Sequence, residues 1–542
     1  MLCLRLRRTL AVVVLTGGFV LATPASGGVS GTGWLPPVAE VGPYESYSFS
    51  VGVAPTGDAV VAAVDVDGIS TTSKPPGGSW SEPLSIGYSL TFPTVAFDDA
   101  GNAVLTALQI PGTPGVARAV AYARDAGDET WAGPTRLSNA DDDAFVPPAL
   151  ALNRTGQAVA AWVGSEGDLL VLRVSLRSTD GTWSPAENIG YAGSLGNRPP
   201  SVAIDNGGDV VVVWTRGPEN AGDVYAELHP AGGGWQPAQV LSSRGDTRLE
   251  WKVVMNGRGD AVAVWAELDQ PEQATLYSAR LAAGTTTWSK PTPIPVSDGF
   301  DAAGAYIFFG GALSVAIDPA GTATLVAPTK QLHVEAVTLP GRSETWEGPV
   351  VIGDGGTGNY QHEARCLIPQ VRLDGHGGAV AVWGGAGLFA ARRQPGSQTW
   401  DPPVQVAAAP TCFGRDLAVD ASGDAVAIWN AGVNAGTEDL GRLDAAVLDA
   451  TPPVLARLVV PTTARIRHRV RFSVAASDAW SKLARLPLWR FGDGVGARGL
   501  HVRHAYRRRG RYRVSVTAED LAGNSATATG EVVVRRRELA TS

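Results

Sequence analysis

The sequence predicts an all-β chain, an eight-bladed β-propeller followed by a smaller β-sandwich. Three observations predict it. Thirteen of the sixteen tryptophans fall at two positions of one repeating unit. The repeat begins with a lone fourth strand and ends without one. Composition and charge change abruptly after Pro452-Pro453.

The first tryptophan position opens W-x-P or W-x-x-P at Trp34, Trp80, Trp131, Trp183, Trp235, Trp288, Trp346 and Trp400, spaced 46, 51, 52, 52, 53, 58 and 54 residues apart. The second closes an apolar run that starts at a glycine, as in Gly208-DVVVV-Trp214 and Gly259-DAVAV-Trp265. Copies at Gly57, Gly101 and Gly321 keep the phase but carry alanine in place of tryptophan. A period near fifty residues marks units that bury their apolar faces only against one another.

Within a unit, residues 249–292 read as four short strands: WKVVM, DAVAVW, LYSARL and the run opened by Trp288. Gly, Asn, Asp and Pro clusters separate them, the pattern of an antiparallel meander. The turn between the first two strands is often D-x-x-G, as at Asp98, Asp318 and Asp420. Asp bonds its own backbone two residues on, and Gly supplies a positive φ. These residues therefore read as structural. The fourth strand at 34–41 stands alone, and the last unit (LAVDA, AVAIW, LDAAVL) lacks a fourth strand. One terminus supplies what the other lacks, so the ring closes and no sheet edge is left open.

A basic start (Arg5, Arg7, Arg8), an apolar stretch over 10–22 and small residues near Ala25 read as a signal peptide, residues 1–25. No later run is long enough to anchor the chain, so export without membrane insertion is expected. Arginine-rich, alanine-rich usage points to a GC-rich bacterial genome. Cys366 and Cys412 lie 46 residues apart, each eleven residues before its turn glycine, hence at equivalent places in adjacent blades. In an oxidising compartment they are candidates for a disulfide, the alternative being two buried thiols.

Residues 452–537 carry W489-R-F-G-D-G494, H504-A-Y506, G510-R-Y-R-V-S-V-T517 and D520-L-A-G-N524, ahead of a short tail at 538–542. This segment resembles the PKD domain, an immunoglobulin-like β-sandwich. The resemblance implies a tight turn at Gly492-Asp493-Gly494, structural roles for His504, Tyr506 and Tyr512, and a spacer or binding module. The alternating runs VRFSV, YRVSV and GEVVV independently read as sandwich strands. Its core is expected in Trp489, Tyr512, Val514 and Val516.

Charge divides the chain. Residues 452–542 hold 18 Lys and Arg against 6 Asp and Glu, a balance of +12, while residues 26–451 hold 23 against 46, or −23. The cluster Arg507, Arg508, Arg509, Arg511, Arg513 points to a polyanion or to docking on the acidic propeller, against a merely solvated face. Nucleic acid is not expected, because only Tyr506 and Tyr512 interleave with the arginines and no nucleic-acid motif is present.

In a propeller the loops from a fourth strand to the next first strand open on one face. The long ones here are 297–313, 353–369 and 407–415, with an acidic one at Asp141-Asp142-Asp143. Arg198, Arg248, Arg365 and Arg415 recur just before first strands. They would suit an anionic ligand such as a uronate or sialate, unless each pairs with a local carboxylate. Tyr306 and Tyr360 lie in the same loops. Sialidases are secreted propellers with arginine clusters, but this chain lacks their S-x-D-x-G-x-x-W box and pairs neither tyrosine with a specific Glu. Three consecutive Asp lack the spaced loop of a calcium site. No cofactor fingerprint, nucleophile elbow or zinc motif is present. The expected function is non-catalytic recognition of an extracellular glycan or protein by a monomer. The alternative is a secreted polysaccharide hydrolase or lyase.

Overall fold

A computed structural model describes residues 33–536 apart from 44–45, 111–115, 140–142, 193–197, 218–221, 243–249, 271–272, 298–299, 301–312, 355–365, 412–413 and 433–440. The signal peptide expected at 1–25 lies outside the described residues. Among them the repeats form eight antiparallel sheets, spanning residues 49–88, 90–136, 149–191, 201–240, 251–293, 314–354, 370–407 and 415–448. The first seven have four strands in chain order and the eighth has three. We number these blades 1 to 8. Second strands such as Ala59–Val64 and Ala379–Trp383 are buried at every residue. Each is covered by a blade on either side, so its run is continuously apolar rather than alternating.

The turn chemistry is as the sequence predicts. Asp205 Oδ1 accepts the N–H groups of Gly207 and Asp209, both at 2.8 Å, and Asp318 Oδ1 does the same for Ala320 and Thr322. The turn glycine has φ between +86° and +95° in all eight copies, a region that penalises any Cβ. Adjacent turns are also tied together: Asn153 Nδ2 donates to the Asp205 carbonyl at 2.8 Å, and Asn256 Nδ2 to that of Asp318 at 3.2 Å.

The two tryptophans of the repeat do different work. Trp162, Trp265, Trp383 and Trp429 are at most 1 % exposed, wedged between blades. At Gly353, on the outer strand of blade 6, a Cβ would collide with the Trp383 ring of blade 7. Removing such a ring costs about 3–5 kcal/mol. The W-x-P tryptophans sit just ahead of the outer strand rather than within it, as at Trp131 before Ala132–Arg136. Proline has no N–H to pair, which confines it to such edges. There the ring covers a cation at the end of the third strand: Arg124 lies 5.7 Å from the Trp131 ring and Arg393 5.6 Å from Trp400. These arginines bridge blades. Arg124 donates to Ser73 at 2.9 Å, and Arg393 to Thr338 and Thr324 at 2.9 Å. Burial lowers both pKa values.

The ring closes through its N-terminal segment. Trp34 bridges to Leu448 and Val38 to Ala445. Leu35, Val38 and Val41 donate to the carbonyls of Val447, Ala445 and Leu443 at 2.8, 2.8 and 2.9 Å. This segment is the fourth strand of blade 8.

The C-terminal unit is a two-sheet sandwich. A five-stranded sheet holds Leu488–Arg490, Gly510–Glu519 and Ser525–Arg535, and a three-stranded one holds Val454–Val459, Val470–Ser477 and His501–His504. Trp489, Val514 and Val516 are fully buried as expected, whereas Tyr512 is only half-buried. Tyr506, Phe472 and Phe491 complete the core. His504 stacks on Phe491 at 4.1 Å and hydrogen-bonds Asp493 at 2.8 Å, and Tyr506 Oη donates to the Phe491 carbonyl at 3.2 Å. The H-x-Y motif thus ties a strand to the Gly492–Gly494 turn.

Among the described residues the two units meet through apolar and hydrogen-bonding groups, not through the arginine cluster. Trp480, 3 % exposed, enters the core shared by blades 1 and 8 with Val61 and Leu443. Gly77 N–H donates to the Ala479 carbonyl at 2.6 Å, and Asn524 Nδ2 to that of Asp449 at 2.9 Å.

Two predictions follow from these contacts. Deleting residues 33–42 should lower the melting temperature by well over 5 °C and produce oligomers on size exclusion, because the edge at 442–448 becomes unpaired. An unchanged melt and a monomeric peak would contradict ring closure. Glu227, in the third strand of blade 4, is 7 % exposed, and burial raises its pKa to about 7. The folded state therefore holds a proton that the unfolded chain releases near pH 4.3, so stability falls as pH rises from there through 7. Glu227→Gln should stabilise the protein by roughly 2–3 kcal/mol at pH 8 and hardly at all at pH 4.5, measured by denaturant titration.

Candidate functional site

The first strands of all eight blades line a central channel of about 760 Å³. Its far end is apolar, formed by residues such as Leu152, Ile204, Met255 and Leu373. Its mouth lies at the strand beginnings, on the face where the long loops emerge. That rim carries prolines at 93, 147, 148, 199 and 200, whose missing N–H groups need no partner. It also carries Tyr47, Phe49 and Phe92.

Tyr47 and Phe92 form an edge-to-face pair at 6.0 Å, with the Tyr47 hydroxyl 2.8 Å from Thr91 Oγ1. Phe92 holds φ at +53° in a bulge between Thr91 and Thr94. A bulky side chain in the left-handed region costs about 1–2 kcal/mol, so the ring is held at the mouth against its backbone preference. Tyr47 remains 47 % exposed, so the aromatic face is open to solvent.

The lining charges are Lys252, Arg372 and Arg415, with no Asp or Glu among the described lining residues. Lys252 has no carboxylate within ion-pairing distance among the described residues. Arg372 shares Asp416 at 3.5 Å. Asp416 in turn accepts the Val51 N–H at 3.0 Å, and burial raises its pKa.

The arginines predicted from the sequence divide. Arg415 is 8 % exposed, and its terminal nitrogens donate to the carbonyls of Ile368, Cys366 and Thr411 at 2.5, 2.7 and 3.2 Å. Burial pushes its pKa down to about 9. It is a strut joining two loops rather than an open ligand contact, because a desolvated guanidinium is stable only where its N–H groups are taken up. Arg198 is half-buried beside the first strand of blade 4. Arg248, Arg365, Tyr306, Tyr360 and Cys412 lie outside the described residues, as do Asp141 and Asp142. Asp143 accepts the Ala117 N–H at 2.8 Å. Arg507, Arg508 and Arg509 are exposed and grouped on one edge of the sandwich.

Sequence reasoning missed Tyr47, Phe92, Lys252 and Arg372. Lys252 and Arg372 do carry a signal: each is a cation inside an otherwise apolar first strand, WKVVM and QVRL. It also missed how the loop around 298–312 is anchored. Glu335 accepts from Ser297 at one end (N–H at 3.0 Å), and Glu250 accepts the Leu313 N–H at 2.9 Å at the other.

Residues 450–534 match the family model of the PKD domain, and this segment is a PKD domain. The PKD1 domain of Vibrio anguillarum Epp is similar to it, at 25 % identity over 16 % of this chain and 98 % of its own, with a TM-score of 0.14. The propeller is similar to an alpha-L-arabinanase of Penicillium chrysogenum, at 14 % identity over 55 % of this chain and 94 % of that one, TM-score 0.33. It is also similar to the Aleuria aurantia lectin, at 11 % identity over 57 % and 98 %, TM-score 0.33. No curated protein sequence matches this chain. Among the described residues no helix is long and apolar enough to cross a membrane.

Cys366 is 2 % exposed and disulfide-bonded. One nitrogen of Arg415 holds the carbonyls of both Cys366 and Thr411, which brings the segment next to Cys412 alongside it. Non-reducing peptide mapping should therefore link Cys366 to Cys412. Two alkylatable thiols in the native protein would refute the pairing. Replacing either cysteine with serine should cost about 2–4 kcal/mol.

Proposed function

We propose that this chain is an exported, non-catalytic recognition protein whose channel mouth takes an acidic glycan, with the PKD domain as spacer and surface contact. The carrying observation is the sign of the channel. In a propeller with a balance of −23, the described lining holds Lys252 with no carboxylate at ion-pairing distance, Arg372 shared with Asp416, the buried Arg415, and no Asp or Glu. Anions are concentrated by such a low-dielectric, single-sign cleft. The exposed Tyr47 ring, with the half-buried Phe92 packed edge-to-face against it, offers an apolar surface on which a sugar face stacks, and Lys252 on the first strand of blade 5 lines the same channel with an ammonium for a uronate or sialate carboxylate. A glycosidase, by contrast, usually needs two carboxyl groups about 5–10 Å apart across the scissile bond. The lack of any acid among the described lining residues favours binding over hydrolysis.

The exposed cluster Arg507, Arg508 and Arg509 supports a second, weaker contact between the PKD domain and a polyanionic surface. It stands apart from the contact with the chain's own propeller, which Trp480 makes.

A glycan array spanning neutral, uronate and sialylated oligosaccharides tests the reading. Binding should concentrate on the acidic members and weaken with salt. Lys252→Ser should reduce affinity at least tenfold, the value of one charge-assisted hydrogen bond. Release of new reducing ends from any bound glycan would instead establish the hydrolase. Retention of neutral glycans alone, unaffected by Lys252→Ser, would remove the electrostatic argument.

A further inference from the structure

We propose that Asp449, Asp478 and Asp520 form a divalent-cation site of the calcium class that clamps the PKD domain to the propeller. Asp449 follows the third strand of blade 8, whereas Asp478 and Asp520 belong to loops of the sandwich. One ligand oxygen from each lies within 4.8 Å of the other two. Oxygens on opposite sides of a calcium ion are separated by about 4.6–5.2 Å, twice the usual Ca–O distance, so the three already span one ion.

The three carboxylates are arranged alike. Each commits one oxygen to a fixed donor. Asp478 Oδ1 accepts the N–H groups of Trp480 and Ser481 at 2.8 and 2.9 Å, Asp520 Oδ1 accepts that of Asn524 at 2.8 Å, and Asp449 Oδ1 faces Asn524 Nδ2 at 3.4 Å. The second oxygens of Asp449 and Asp520 are buried and have no hydrogen-bond partner. Asp449 is 0 % and Asp520 1 % exposed. An ionised oxygen left so costs several kcal/mol, and a bound cation is the ordinary remedy. Fixing one oxygen by a second set of hydrogen bonds is also how ligating carboxylates are oriented.

A neighbouring hydroxyl adds a further hard oxygen. Ser481 Oγ, in a side chain 6 % exposed, is loosely coupled to the Asp449 carboxyl and makes no close hydrogen bond. All the donors are oxygen, which selects calcium or magnesium over zinc or copper.

Lys74 is the rival cation. It ends the third strand of blade 1, and its Nζ lies 5.2 Å from the Trp480 ring centre, buried and without a hydrogen-bond partner. Its charge is felt by Asp449 and Asp478, but it is not within 4.0 Å of either carboxylate. One ammonium against three carboxylates leaves a balance of −2 among these four groups, which one calcium ion neutralises.

The test uses the full chain stripped with EDTA. Adding calcium chloride should raise the melting temperature of the sandwich by roughly 5–10 °C and show one site per chain by calorimetry, with magnesium chloride weaker. Terbium should bind in its place and emit on tryptophan excitation, because Trp480 adjoins the site. Asp478→Asn and Asp520→Asn keep the backbone acceptors and should each abolish the calcium shift and the terbium emission. Lys74→Met should tighten calcium binding several-fold by removing a repelling charge. No calcium-dependent shift and no binding at millimolar calcium would overturn the proposal, as would a shift that persists in both asparagine variants.

Discussion

A blade of this propeller has two apolar faces and no core of its own, so the structure depends on the ring being closed. The second strands are buried along almost their whole length because a neighbouring sheet covers each face. An open array would expose one such face at each end together with an unpaired strand edge. The hydrogen bonds from residues 35, 38 and 41 to the strand at 442–448 remove both liabilities at once. They also join residues about four hundred positions apart. Contacts so distant in sequence are paid for in loop-closure entropy, and they hold because every other blade is already stacked.

Between blades, three devices recur. Tryptophans of the second strand fill the space against the neighbouring outer strand. Asn side chains reach from one turn to the next. Cations at the ends of third strands cross the blade boundary and are roofed by W-x-P rings. Burying a guanidinium costs energy, which the hydrogen bonds of Arg393 to two threonines and the ring of Trp400 offset. In blade 1 the cation is Lys74, and Trp480 from the PKD domain lies against it. The second domain therefore uses the propeller's own packing device at the junction.

That junction also gathers buried acids. Asp449 is pushed up to about 7 by burial and by its acidic neighbours. A geometry that brings three carboxylates together at a domain boundary makes the boundary sensitive to cations. The described channel lining has the opposite sign, holding Lys252 and Arg372 and no Asp or Glu, with Arg372 shared with Asp416. Opposite charges are thus kept at separate places, one at the channel and one at the domain junction.

The sequence by itself determined the repeat, the closing strand, the turn chemistry and the PKD domain. Each is a local pattern: a period near fifty, an Asp-x-x-Gly turn with positive φ at its glycine, a Gly-Asp-Gly turn answered by H-x-Y. The core of the sandwich was legible in Trp489, Val514 and Val516 for the same reason, whereas Tyr506 looked like part of a motif rather than of a core. What side chains do across the ring could not be read in this way. Arg415 looks like its fellow arginines in sequence, yet three carbonyls from two loops surround it, which only blade stacking decides. Lys252 and Arg372 read as stray cations in apolar strands until the ring turns them toward one channel. Trp480 and Asp449 belong to different domains, and only the docked structure brings their neighbourhoods together. Tertiary packing decided the sites because each is assembled from residues that no local pattern connects.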